Sequence, residues 1–189
     1  SVADSALDTE REALLSEVTL PEARGPKSPL EEWAATFLVG IANGTTTPQR
    51  EPNAFARREI PVLARALATG RGLFDRQWRL AIALAMRAAG GSMTRVGGGP
   101  VRPPANLVEM WAADAIRQLA GDDSDRAREK NGIGFMAAHS ATGHTLAALI
   151  DAQAMTDDNW REAVSIAKRY PGQVGTAPRA DAEVRSNPH

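Results

Sequence analysis

The chain contains no cysteine. That excludes disulfides, thiolate metal sites and cysteine nucleophiles, and it fits a reducing, cytoplasmic setting. Aromatic residues make up only 5% of the chain, so Ala, Leu, Ile and Val must do most of the packing; a hydrophobic share of 43% is enough for a real core. The longest apolar runs, Phe37–Ala42 and Leu80–Met86, fall far short of a membrane span, and no membrane partner is expected. The opening Ser1-Val2-Ala3-Asp4 has no basic n-region and no apolar h-region, so no signal peptide is expected. Lysine is scarce as well, with three residues against 19 arginines. Codon composition can produce such a bias. So can a requirement for guanidinium chemistry on phosphates.

What is present is unevenly charged. Between Arg50 and Arg102 there are ten arginines, no lysine and three acids (Glu51, Glu59 and Asp75). Residues 1–49 and 103–189 both carry net negative charge, so the overall −1 conceals a basic block between acidic flanks. Such asymmetry points to a polyanionic partner more than the overall charge does.

At 189 residues the chain fits one domain or two small lobes. Its periodicity is helical almost throughout, without strand alternation and without an internal repeat. Ser28-Pro29-Leu30-Glu31 reads as a capping box opening a helix through Trp33, Phe37, Leu38 and Ile41, stopped at Asn43-Gly44. An acidic amphipathic helix is expected over Asp4–Val18. Pro61 argues for a helix starting near Glu59 and ending at Thr69-Gly70. Further helices are expected over Phe74–Ala89, Ala105–Ala120 and Ser140–Ala152, with a last one capped by Thr156 and ended by Tyr170-Pro171-Gly172. The fold class is therefore all-α, a compact bundle of about six to seven helices. Residues 1–174 form one domain, divisible into lobes 1–120 and 131–174 by a charged linker at 121–130. Residues 175–189 form a polar tail.

On a helix, with about 100° per residue, Arg76, Arg79 and Arg87 oppose the apolar face of Phe74, Trp78, Ala81, Ile82, Ala85 and Ala89. Arg58 and Arg65 likewise oppose Ile60, Leu63, Ala64 and Leu67. With Arg57 beside them, and Arg95 and Arg102 flanking Gly97-Gly98-Gly99, these arginines form a candidate nucleic-acid surface. The bland alternative is a solvated helix face, which usually mixes charges more evenly. Trp33, Phe37, Trp78, Trp111 and Trp160 sit on apolar stripes and are expected in the core. Phe55, next to Arg57 and Arg58, is the better stacking candidate. A partner read through its backbone is favoured over base readout.

Enzyme chemistry finds little support. His139 and His144 point about 140° apart on a helix and lack a third metal ligand, so no metal site is expected. Ser140 beside His139 does not face it, and no acid is placed to orient the histidine. Gly97-Gly98-Gly99-Pro100 lacks the Lys-Ser/Thr of a phosphate-binding loop. Asp122, Asp123 and Asp125 resemble the start of a calcium loop without its later Gly and Glu, and read as solvated linker. No cofactor is expected.

Asn131-Gly132-Ile133-Gly134-Phe135, Gly143-His144-Thr145-Leu146-Ala147, Trp160 and Tyr170-Pro171-Gly172-Gln173-Val174 together resemble a short helical module of bacterial and mobile-element nucleic-acid machinery, including helicase-type proteins. The chain departs from that pattern at His139, where an acid is usual. The simpler physical account is a tight turn at Gly132 and Gly134, Phe135 plugging a helix junction, and Gly143 permitting close approach. In architecture, a small Cys-free helical chain with a basic face is similar to the small subunits of CRISPR effector complexes. That similarity implies stacking along a guide-RNA filament beside a target or displaced strand. The expectation is a non-enzymatic subunit that binds the backbone of RNA or single-stranded DNA in a larger bacterial ribonucleoprotein, alongside other subunits or copies of itself. The first alternative is a helical adaptor docking an acidic protein surface; an enzyme is the third.

Overall fold

A computed structural model describes residues 21–123 and 132–180, together with Ser5, Ala6 and Thr9. Most of the expected acidic helix over Asp4–Val18 and of the 121–130 and 175–189 segments lies outside the described residues. Within them the chain is all-α. The order is α1 (Pro29–Asn43), α2 (Ala54–Ala68), α3 (Asp75–Ala88), a 3-10 turn (Met93–Arg95), α4 (Leu107–Asp122), α5 (Ala137–Asp151), α6 (Asp157–Ala167) and a final turn, α7 (Pro171–Val174). No helix among the described residues is long and apolar enough to cross a membrane.

Local signals set most boundaries. Ser28 accepts from Glu31 N at 3.2 Å, Pro29 supplies the first helical φ, and Gly44 closes α1 at φ 78°. Thr156 caps α6 in the same way. Three helix starts differ from expectation, and α5 is one, beginning at Ala137 rather than Ser140. α2 begins five residues before Glu59, because Asn53 accepts from Ala56 N at 2.8 Å and starts the helix there. Pro61 therefore lies inside it. The proline faces solvent, so the one lost backbone bond leaves a carbonyl to water, while Ala56, Ile60, Leu63 and Ala64 are buried on the other side. α4 begins at Leu107 rather than Ala105, because Asn106 is the cap.

The expectation of no internal repeat was wrong. The two halves are built on one plan. In the first, Arg24 grips Glu31 through both terminal nitrogens, at 2.8 and 2.9 Å, and Asp75 through Nε at 2.8 Å. In the second, Arg102 grips Glu109 at 2.8 and 2.9 Å and Asp157 through Nε. Trp78 Nε1 donates to the Arg24 carbonyl, and Trp160 Nε1 to the Arg102 carbonyl, each at 3.1 Å. Lys27 N and Ala105 N each donate to their glutamate at 2.6 Å. Each half is thus a three-helix module closed by the same Arg–Glu–Asp–Trp clasp: α1, α2 and α3, then α4, α5 and α6. The second helices also exit alike, through Gly70 at φ 74° and Gln153 at φ 54°.

The cores follow this division. One gathers Ala34, Leu38, Ile60, Leu63, Leu73 and Trp78; the other gathers Ile116, Leu119, Phe135, Leu146, Leu149 and Trp160. α4 and α5 belong to the same core, so the charged segment at 121–130 does not separate the lobes. The modules join where Met86 enters the second core, Trp33 packs on both, and Ser92 N donates to Thr145 Oγ1 at 2.9 Å. A Cβ on Gly91 would lie 2.8 Å from that same oxygen, so only glycine fits the crossing.

Candidate nucleic-acid interface

The expected arginines divide into two groups. Arg102 is structural: it is the centre of the second clasp, half-buried and committed to two carboxylates. Its hydrogen bond to Glu109 holds its pKa above the ordinary guanidinium value and holds Glu109 below the ordinary carboxylate range. Arg24, in the acidic flank, does the same with Glu31. These guanidiniums are already satisfied by the fold.

The other arginines face solvent. Arg57, Arg58 and Arg65 lie on α2, Arg76, Arg79 and Arg87 on α3, and Arg95 in the 3-10 turn; all are exposed. Arg58 pairs with Glu59 at 3.0 Å, with its guanidinium 5.5 Å from the Phe55 ring centroid. The remaining six pair with no acid among the described residues. The apolar stripes expected to oppose them are in place: Ile60, Leu63, Ala64, Trp78, Ala81 and Ala85 are buried. Phe74 is the exception. It precedes α3 and its ring is 43% exposed.

The structure brings Arg65 together with Arg71, a residue of the basic block that helical periodicity did not single out because it lies in the turn after α2. Both border a groove of about 520 Å³ whose other walls include Pro61, Val62, Phe74 and Gln77. Phe55 on α2 is 45% exposed and Val62, two turns on, 59%. Guanidiniums and apolar side chains therefore alternate along the outer face of α2. Of the aromatics expected in the core, Trp78 and Trp160 are buried, while Trp33, Phe37 and Trp111 are partly covered.

A second polar cluster lies inside the second module, and the sequence reading missed its key member. Asp123 follows α4 and is fully buried, not solvated linker. Its Oδ2 accepts from Ser140 Oγ and meets His144 Nε2, both at 2.9 Å. So a carboxylate faces His144, a pairing the sequence reading did not foresee. Nothing local marked it, because the partners are brought together from different helices. His139 turns elsewhere, with Nδ1 2.7 Å from the Tyr170 hydroxyl, which also accepts from Met136 N at 3.0 Å. Burial, helped by Arg169, pushes the His139 pKa down, and burial pushes Tyr170 up. Phe135 lies edge-on to both His144 and Tyr170. Ser140, His144 and Asp123 are all at most 5% exposed, so the cluster locks the end of α4 onto α5 and offers no open nucleophile. The five-residue spacing does separate the histidines, and no three-residue metal-ligating group occurs among the described residues.

No protein family, curated protein or solved structure matches the chain.

Proposed function

We propose that the chain is a non-enzymatic subunit that binds the phosphate backbone of nucleic acid within a larger ribonucleoprotein. One observation carries this reading. The arginines the fold requires, Arg24 and Arg102, each hold two carboxylates, whereas Arg57, Arg65, Arg76, Arg79, Arg87 and Arg95 are exposed and hold none among the described residues. A surface that keeps its cations unneutralised is suited to a partner that brings a row of anions. The resemblance to CRISPR small subunits points to the same class of partner.

A test is fluorescence anisotropy with labelled single-stranded RNA and DNA of several sequences, from low to physiological salt. Binding should fall steeply with salt and depend little on sequence. Absence of binding at low salt would refute the proposal.

A further inference from the structure

The two modules share a clasp but differ in the side chains that line one groove. In the second module, the groove between the second helix and the start of the third is closed by the incoming chain. Ser92 N donates to Thr145 Oγ1 at 2.9 Å. Gly97 approaches so near that a Cβ there would lie 2.6 Å from Thr156 Oγ1 and 3.1 Å from Asn159 Nδ2. The groove thus takes a segment of polypeptide, one that includes the 3-10 turn at Met93–Arg95.

The register of the modules identifies the same groove in the first. Arg71 N donates to Ala66 O as Ala154 N donates to Leu149 O. Phe74 N donates to Gln77 Oε1 at 3.0 Å as Thr156 N donates to Asn159 Oδ1 at 3.2 Å. Val62, Phe74 and Gln77 therefore stand where the second module has Thr145, Thr156 and Asn159. All three line the groove of about 520 Å³, together with Arg65 and Arg71, which stand in place of Ala148 and Ala154. At equivalent positions, two alanines have become guanidiniums and a buried threonine has become a half-exposed phenyl ring. Among the described residues, no acidic side chain lines the groove.

We propose that this groove seats a single nucleic-acid strand, with phosphates on Arg65 and Arg71 and an unpaired base against Phe74. The proposal rests on the backbone-binding reading above and deepens it from nucleic acid in general to a single strand. Two cations beside an exposed ring match a polymer of repeating anions and flat bases. In a duplex the base faces are stacked on one another and cannot reach the ring. The groove's counterpart already accommodates one polymer chain, the 92–97 segment.

The test compares a labelled twelve-nucleotide single strand, a duplex of the same length and a glutamate-rich peptide, each titrated with the full chain. Phe74→Ala should weaken single-strand binding about tenfold, the usual worth of one base stack, and leave duplex binding unchanged. The Arg65→Ala/Arg71→Ala pair should weaken single-strand binding and lower its salt slope by roughly 1.4, about 0.7 for each phosphate no longer neutralised. Phe74→Leu keeps apolar volume while removing the ring, so it repeats the test should Phe74→Ala unfold. If the wild type binds nucleic acid but all these variants bind as it does, the groove is not the site while backbone binding stands. If the wild type binds no nucleic acid, both fail. If the peptide is bound in a Phe74-dependent way and the oligonucleotide is not, the occupant is an acidic polypeptide and the proposal is overturned.

Discussion

Gly143 offers the sharpest test of the second core, because one methyl group there should change sign with its background. A Cβ on Gly143 would run into the Cζ and Cε atoms of Phe135. That ring is 2% exposed and held between His144 and Tyr170, with centroids 5.8 and 6.0 Å away, so it has little room to retreat. Overpacking of this kind costs ~1–3 kcal/mol. Against it stands the helix propensity of alanine, which gains ~1 kcal/mol over glycine inside a helix such as α5. Gly143→Ala should therefore destabilise by up to ~2 kcal/mol net, lowering Tm by up to roughly 8 °C for a chain of this size. Phe135→Ala alone should cost ~3–5 kcal/mol. In that background the clash is gone, so adding Gly143→Ala should raise stability by ~1 kcal/mol. Urea unfolding followed by circular dichroism measures all four corners of the cycle. Additive effects, or a stabilising Gly143→Ala in the wild type, would show that Phe135 does not lie over α5 as described.

Replacing Arg76, Arg79 and Arg87 with Ala should weaken nucleic-acid binding by a similar factor for every sequence and flatten its salt dependence, with little change in Tm; an unchanged isotherm would remove α3 from the interface. Trp78→Ala should cost ~3–5 kcal/mol, since the indole is 1% exposed and its Nε1 donates to the Arg24 carbonyl; an unaltered melting temperature would contradict its burial. Burial lowers the His139 pKa below its ordinary value near 6.5, so the unfolded chain binds the proton more readily. That contribution to stability is full above about pH 7 and is lost as pH falls through 6.5 towards the folded value. His139→Gln should flatten this segment of the stability–pH curve, while the loss from Glu31, Glu109 and Asp157, whose pKa values are lowered by arginine, persists below about pH 4.5. His139→Ala and His144→Ala should leave nucleic-acid binding intact, and chelator-washed protein should carry no stoichiometric zinc.

What the sequence disclosed follows the range of the interactions involved. Caps and stripes act within one or two turns, so α1, α3 and α6 and their buried faces could be read almost to the residue. α2 could not, because Pro61 outweighed Asn53 in the reading, whereas in the fold a solvent-facing proline costs a single backbone bond and the cap decides the start. Asp123 was misread for a related reason. A carboxylate in a charged run reads as solvated until Ser140 and His144, on another helix, are seen to meet it.

The repeat stayed hidden because its signature is sparse. The modules share an Arg and a Glu seven residues apart, then an Asp and a Trp three apart, separated by a second helix whose sequence differs almost entirely between them. Gly72 adds one residue to the first module's turn, where a Cβ would lie 2.6 Å from the Arg24 carbonyl carbon. The duplication then bears directly on function. Charge counting assigned Arg102 to the basic surface with its neighbours, yet Arg24 shows what such a residue is for, since it performs the same task in the acidic flank. Removing the clasp arginine leaves Arg57, Arg65, Arg71, Arg76, Arg79, Arg87 and Arg95, which pair with no acid among the described residues. Two of those, Arg65 and Arg71, stand where the second module has alanines. The second module closes its clasp with alanines at these positions, so the clasp itself does not call for the two guanidiniums, and they are the side chains that the proposed single strand would engage.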